Sequence, residues 1–441
     1  MEHGSSPSLI SPGAPAEPQR TAPWLRAAAG ANLRNEHGGL EATIFEEITS
    51  LAQATGAINL GQGFPDTDGP DSLKEAAVAQ IRGDANQYAP GKGLLGLREA
   101  IASHQQRFYG IELNPDREVV VTTGATEAIA ATILAFCGPG DEVVTFEPFY
   151  DSYGAMIALS GARHRTIPIP QAAPGSLPFL QPAPEAIAAA FSPATRLVIL
   201  NNPHNPTGLV FDRPTLEAVV AQARLHGALI LSDEVYEHLV FDAPHLPVAS
   251  LPGAWERTIT VSSAGKTFSV TGWKVGWASG SADLMDALRT VKQFLSYSSG
   301  GPFQLPVAEA LAAPEEYFLG IAAALRERGT LLSTALEAIG LPVSSPQAGY
   351  FVVADAAPLG IGGTPGEDAR NLARDLPGLI GVAAIPVSVF CHEEGAQRTR
   401  SLLRFAFCKK TEVLEKAARR LAALPALLAD RTDPVNPQAK A

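Results

Sequence analysis

Arg257-Thr-Ile-Thr-Val-Ser-Ser-Ala-Gly-Lys266 is the stretch whose reading decides the fold. Arg257 to Val261 is rich in β-branched side chains and suits a buried strand. The residues that follow are small or polar and end in a lysine. The same sequence of strand and then polar cluster recurs upstream. Val119-Val120-Val121 leads into Thr122, Thr123 and Gly124, with a helical run from Ala125 to Phe136 behind it. Glu142 to Phe146 is a second strand, and Arg196 to Leu200 a third that ends in an Asn/Pro/Gly loop. Ala228 to Ser232 is a fourth and runs directly into Asp233. Strands alternating with helices need crossover connections, which predicts an α/β domain with a mainly parallel sheet covered on both faces. Ligands of such sheets sit beyond the carboxyl ends of the strands. Every polar cluster named here lies at such an end, so all should meet in one crevice.

The pattern changes after Pro314. A helical segment from Glu315 to Ile339 precedes strand-like runs at Tyr350 to Ala354 and Leu402 to Phe407, the pattern of a second, smaller α+β domain. A chain of 441 residues exceeds one ordinary hydrophobic core, which agrees with two domains. The expected division is a flexible leader at 1–35, an N-terminal segment at 36–66 joining the small domain, a large domain at 67–314, a small domain at 315–425 and a tail at 426–441. Prolines 7, 12, 15, 18 and 23 support the reading of the leader, and neither leader nor tail is expected to carry chemistry. The formal charge of −12 argues against a nucleic-acid partner or an anionic membrane, both of which need a basic surface. No run of about 18 apolar residues is present, so no membrane span is expected. Cys137, Cys391 and Cys408 lack CxxC spacing and read as free thiols of a cytoplasmic protein, most simply as small buried hydrophobes.

Several motif matches fail in context. Gly91-Lys-Gly-Leu-Leu-Gly96 fits GxGxxG but follows Ala-Pro instead of a strand. Gly265-Lys266-Thr267 ends like a P-loop, yet Thr260 stands where the first glycine belongs. Ser263-Ala-Gly-Lys266 fits SxxK without the SDN and KTG elements that should accompany it. The nine histidines show no HExxH or comparable ligand spacing, so no metal site is expected.

The remaining set suits an aldehyde cofactor that carries a phosphate and a pyridine ring. Small neighbours let a bulky ring approach Lys266, and a nearby cation such as Lys274 favours the neutral, nucleophilic amine; taken alone, Lys266 could equally be a solvated surface lysine. Asp233 ends a buried strand, where a carboxylate needs a cation, and a protonated ring nitrogen supplies one; alone it could simply cap a turn. Tyr236 lies on the same side if a helical turn follows. Asn201-Asn-Pro-His-Asn-Pro-Thr-Gly208 is too rich in proline for regular structure and forms a rigid loop that can present the Asn205 amide to a ring oxygen. Gly124, Ala125 and Thr126 open a helix after a strand, so their N–H groups can bind phosphate, with Ser263 and Lys274 completing the site. Phe149 offers a ring for stacking, or else is a core aromatic.

NPHNPTG with Asn205, DEVY with Asp233 and Tyr236, and SSAGKTFSVTGWKVGW with Lys266 resemble the fold type I aminotransferases of class I/II, from about Phe45 to Leu424. Asn59-Leu-Gly-Gln-Gly-Phe-Pro-Asp66, Glu147-Pro-Phe-Tyr-Asp151 and Ala384-Ile-Pro-Val-Ser388 are similar to the branch of kynurenine–oxoglutarate/glutamine, methionine and actinobacterial N-succinyldiaminopimelate aminotransferases. Gly124-Ala-Thr-Glu-Ala-Ile129, Asn205-Pro-Thr-Gly208 and Lys292-Gln-Phe-Leu-Ser-Tyr297 look nearest to the last of these.

The resemblance implies pyridoxal 5'-phosphate held on Lys266 as a Schiff base, and a two-stage reaction in which the freed lysine moves the substrate Cα proton. Amino-acid and 2-oxo-acid substrates follow, with 2-oxoglutarate the expected acceptor and N-succinyldiaminopimelate of lysine biosynthesis the expected donor. Kynurenine, glutamine or methionine transamination and cysteine-conjugate β-lysis are the alternatives. By the same resemblance Arg404 clamps the α-carboxylate, Gly63 contacts it through the backbone, and Phe45 and Tyr297 line the side-chain pocket. Kynurenine enzymes carry tryptophan where this chain has Phe45. Tyr88 matches a tyrosine that reaches the phosphate of a neighbouring subunit, which implies a homodimer with shared sites. Lys292, Gln293 and Arg370 are candidates to meet a distal carboxylate of the donor.

Overall fold

A computed structural model of the chain describes residues 22–34, 37–173, 176–242, 244–360 and 368–432. The large domain is built on a seven-stranded sheet. Its strands are β1 (Val119–Thr123), β2 (Glu142–Glu147), β3 (Arg163–Pro168), β4 (Thr195–Asn201), β5 (Leu229–Asp233), β6 (Thr258–Ser263) and β7 (Val275–Ser279), in the spatial order β1-β7-β6-β5-β4-β2-β3. The neighbours from β6 through β3 run parallel, whereas β7 is antiparallel to both β1 and β6. Sequence reading missed β7, because its glycine and tryptophan interrupt the β-branched pattern. Its direction matters for the site. Being antiparallel, β7 begins where the parallel strands end, and this brings Lys274 to the edge that carries Asn201, Asp233 and Ser263.

Register sharpens that edge. Asn201 lies opposite Asp233, and Asp233 opposite Val261. The interiors of β4, β5 and β6 are almost wholly buried, because helices cover both faces and leave no solvated side that would favour alternation.

The small domain is a four-stranded antiparallel sheet, in which Phe351–Asp355 pairs with Leu402–Ala406 between two short outer strands. Helices Glu315–Glu337, Ala369–Leu379 and Thr411–Leu421 pack against it, their apolar faces sharing one core with the sheet. The N-terminal segment joins this core. Helix Ile44–Thr55 starts at a capping box made by Thr43 and Glu46, and Ile58–Asn59 pairs with Val382–Ala383. No described helix is long and apolar enough to cross a membrane.

Two expectations about the ends need correction. Residues 1–35 read as a flexible leader, but Pro23–Gly30 is a helix docked on helix Asp151–Ser160. Proline density misled the reading: Pro23 sits in the first turn, where its missing N–H costs nothing. The two helices touch through glycines, since a Cβ on Gly30 would lie 2.4 Å from the Gly154 carbonyl oxygen. Arg26 donates from Nε to the Ala158 carbonyl at 3.2 Å, satisfying an end carbonyl of the second helix. At the other end, helix Leu424–Thr432 occupies the first part of the expected tail. Residues 1–21, 35, 36 and 433–441 lie outside the described residues.

β7 packs unusually close to the helix Gly124–Phe136. A Cβ on Gly276 would stand 2.5 Å from the Gly124 carbonyl carbon and 2.7 Å from the Ala125 nitrogen. Gly276→Ala should therefore push the start of that helix away and destabilise the protein by about 1–3 kcal/mol. The shift is read from the denaturant midpoint, and an unchanged midpoint would refute the close packing.

Candidate active site

Lys266, Asp233, Tyr236, Asn205, Ser263, Lys274 and Thr126 line one cavity of about 210 Å³ at the carboxyl edge of the large sheet. Gly124 and Ala125 line it too. Nine positions singled out in the sequence, drawn from five separate segments, thus meet in one place, as the strand-end argument required.

Asp233 is the most constrained member. It is buried at the end of β5, and burial pushes its carboxyl up to about 6 although the Tyr153 hydroxyl opposes the rise by donating to Oδ2 at 2.5 Å. Oδ1 is buried and has no hydrogen-bond partner among the described residues. An acceptor left in this state is costly, so the site suits a ligand with an N–H or a positive charge there. Sequence reading missed Tyr153. Its signal was the spacing from Tyr150, three residues earlier at the start of the same helix, which places both on one face. Both tyrosines line the cavity.

A chain of hydrogen bonds continues from Asp233. The Asn201 side-chain amide donates to the Asp233 carbonyl at 2.9 Å, and Asn201 Oδ1 accepts the Asn205 backbone N–H at 2.7 Å. Asn205 Oδ1 then accepts from Arg404 Nη1 at 3.0 Å. A guanidinium only donates, so this contact orients the Asn205 amide and leaves its Nδ2 for an acceptor in the cavity. Arg404 comes from the small-domain strand Leu402–Ala406 and also donates from Nη2 to the Gly61 carbonyl at 2.8 Å. It is buried against the rings of Phe351, Phe390 and Phe45, at 4.0, 4.7 and 5.7 Å from its guanidinium carbon. Burial draws it down to about 10, and its Nε has no partner among the described residues.

Gly124 takes φ +69° as the first residue of its helix, and the free N–H groups of that turn sit in the same cavity as Ser263 and Lys274. This is an anion cradle. A cradle for an anion and an unpartnered buried carboxylate in one cavity, beside a lysine, fit the phosphate and protonated ring nitrogen of pyridoxal 5'-phosphate.

Some expected placements differ. Phe149 is not the stacking ring: it is buried in the large-domain core against His164 and His392, at 4.6 and 5.1 Å between centroids. Tyr150, the next residue, lines the cavity in its place, because the helix begins at Asp151 and the turn reverses which side chain faces inward. Tyr88 and Tyr297 do not line the Lys266 cavity of their own chain; their rings meet edge to face at 5.7 Å on an exposed surface. Gly63 lies against Phe351 and Tyr350, and its carbonyl accepts the Tyr350 hydroxyl at 2.7 Å. The histidine spacing suggested no ligand set, yet the fold gathers His104, Glu237 and His238 with ligand atoms within 4.8 Å of one another. The two imidazoles are hydrogen-bonded at 2.6 Å, and burial disfavours the charged form of both, which accounts for them as a neutral pair in the core.

The sequence profile described as Aminotransferase class I and II matches residues 55–421. The chain is 45% identical over 389 residues to a probable N-succinyldiaminopimelate aminotransferase of Mycobacterium tuberculosis, covering 87% of this chain and 96% of that one. It is 39% identical to the methionine aminotransferase of Escherichia coli, at 87% and 96% coverage. The solved structure of N-succinyldiaminopimelate aminotransferase from Mycobacterium tuberculosis superposes with a TM-score of 0.82, covering 87% of this chain and 97% of that one.

Because the folded pKa of Asp233 lies above its unfolded value of about 4, the cofactor-free fold holds a proton that the unfolded chain has released. Its contribution to stability therefore falls as pH rises from about 4 to about 6. Asn at 233 removes this term, so wild type should lose stability relative to Asp233→Asn across that window. Added pyridoxal phosphate should raise the melting temperature of wild type more than that of the variant. A pH-independent difference would refute the burial argument.

Proposed function

The chain belongs to the class I and II aminotransferases and is an aminotransferase; from that premise we propose that it moves the amino group of N-succinyldiaminopimelate to 2-oxoglutarate, with pyridoxal 5'-phosphate in the Lys266 cavity. The observation that carries the chemistry is the buried Asp233 Oδ1, unpartnered in a cavity that also holds an anion cradle and a lysine. Similarity to the mycobacterial enzyme along nearly its whole length supports the donor.

When bound, pyridoxal phosphate supplies an electron sink that acidifies the Cα–H of an amino acid joined to it. Asp233 would pair with the ring nitrogen and favour its protonated form, while Tyr153 holds the second carboxylate oxygen in place. Asn205 Nδ2 and the Tyr236 hydroxyl, which also meets the Tyr350 hydroxyl, would face the ring oxygen. Ala125, Thr126, Ser263 and Lys274 anchor the phosphate. Arg404 holds the α-carboxylate with its planar fork, which orients the Cα–H toward Lys266 Nζ. Gly63 contributes a backbone contact to the same carboxylate. Lys266 Nζ would serve as the base that takes and holds the Cα proton, a role for which a positioned base contributes roughly 10²–10⁴-fold. Phe45 bounds the side-chain end.

The working form is a homodimer. Tyr88 is 85% exposed and lies with Phe294, Leu295 and Tyr297 among the exposed large apolar side chains. Such side chains suit an interface across which Tyr88 meets the phosphate of the neighbouring site and Tyr297 its substrate pocket.

Lys266→Ala should lose the attachment of cofactor to the chain that borohydride reduction makes permanent, and reduce turnover by at least about 10²–10⁴-fold. Retained turnover with cofactor still attached would sink the assignment of Lys266. For the donor, glutamate formation from 2-oxoglutarate is followed with N-succinyldiaminopimelate, methionine, kynurenine and glutamine in turn. The succinylated donor should give the highest kcat/KM; a clear preference for any of the others moves the protein to that specificity.

A further inference from the structure

Which side chains meet the far end of the donor follows from how the cations near the site are engaged. Lys292 is buried, and its Nζ donates to the carbonyls of Gly91 at 2.9 Å and Tyr297 at 2.6 Å, so its role is to hold those two loops together. Gln293 is exposed and lines no cavity beside the site. Arg370 is different. It stands in the first turn of helix Ala369–Leu379 and lines a second cavity together with Phe45, Asp151, Glu47 and Arg374. Arg374 is engaged there through a two-point contact with Glu47, at 2.6 and 3.2 Å. The Arg370 guanidinium has no hydrogen-bond or ionic partner among the described residues, whereas the backbone N–H of Arg370 donates to Asp368 Oδ1 at 2.9 Å.

This cavity shares no lining residue with the first, but two residues link it to the site. Phe45 lines it and also packs 5.7 Å from the Arg404 guanidinium. Asp151 lines it and directly follows Tyr150, which lines the Lys266 cavity. A donor held by its α-carboxylate on Arg404 therefore sends its side chain past Phe45 toward Asp151 and Arg370. Glu41 and Asp151 are the acids of this cavity that form no close ion pair with an arginine among the described residues, although Arg374 and Arg404 act on them at longer range; burial raises the Asp151 carboxyl. A distal carboxylate alone would meet both a cation and an acid. A distal carbon that bears a carboxylate and an N–H satisfies both.

We propose that this second cavity is the specificity subsite for the distal N-acylamino acid end of the donor, with Arg370 binding its carboxylate and Asp151 accepting its amide N–H. The proposal rests on the donor reading above and deepens it. The succinylated donor carries amide and carboxylate on one carbon, whereas the methionine side chain offers neither. Arg370 is a specificity residue and touches none of the reacting atoms. Its loss should change donor affinity without changing the rate of the chemical step.

The test is the donor half-reaction of the holoenzyme in single turnover, followed by cofactor absorbance, so that 2-oxoglutarate does not enter. Arg370→Gln should weaken N-succinyldiaminopimelate about 10–100-fold, the worth of a charge-assisted hydrogen bond, with the limiting rate within about twofold. Methionine should react as with wild type, and Arg370→Lys should recover part of the lost affinity. Equal weakening of both donors, or none for the succinylated one, overturns the subsite. If wild type uses methionine but not the succinylated donor, the donor reading falls, and Arg370 is judged separately on 2-aminoadipate. This donor, whose side-chain carboxylate Arg370 would bind, must then react, and bind more weakly to the Gln variant; no reaction or unchanged affinity overturns the role of Arg370.

Discussion

A buried carboxylate with one unmatched oxygen organises this molecule. Asp233 sits at the end of a fully buried strand, where an ionised acid is expensive. The fold covers only part of that cost: Tyr153 serves Oδ2, the Val235 N–H and Lys266 also favour the charged form, and Oδ1 has no hydrogen-bond partner of good geometry among the described residues. The large sheet supports this arrangement by register. β4 and β6 flank β5, so Asn201 and Val261 brace the backbone of Asp233 and its side chain has no freedom to turn toward solvent.

From Asp233 the polar chain runs through Asn201, Asn205 and Arg404 to the Gly61 carbonyl. These bonds tie a strand of the large domain to a strand of the small one and to the N-terminal segment. Among the described residues both ends of this chain of bonds keep a buried group without a hydrogen-bond partner, Oδ1 of Asp233 and Nε of Arg404. A ligand that joins a positive ring nitrogen to a carboxylate would satisfy both. The apolar rings around Arg404 strengthen the case, since they exclude water from a guanidinium that would otherwise be solvated. The cavity is thus preorganised by the same bonds that hold the domains in place.

Around this centre, side chains that look alike in the sequence do different work because their partners differ. Lys292 and Arg374 are consumed by structure, one on two carbonyls and one on Glu47, while the Arg370 guanidinium has no partner among the described residues. Phe149 and Tyr150 are adjacent, yet one fills the core and the other faces the cavity. Tyr88 and Tyr297 meet each other on the surface instead of meeting the site of their own chain.

The sequence by itself determined the α/β architecture, the strands that carry the site, and Lys266, Asp233, Asn205, Ser263 and the helix start at Gly124 as residues of one crevice. It could do so because hydrophobic periodicity is local, and a parallel sheet delivers every strand end to one edge. β7 escaped this reading because Gly276 and Trp277 answer to close packing against a helix and not to strand propensity. Only the tertiary structure decided which of two neighbouring aromatics faces inward, that Tyr153 braces Asp233, that Pro23–Gly30 docks as a helix, and which arginine stays free. Each of these depends on a partner distant in the chain, such as Glu47 for Arg374 or Asp233 for Tyr153. Composition and spacing encode no pairing energy between segments; packing and hydrogen bonding supply it only when the chain has folded.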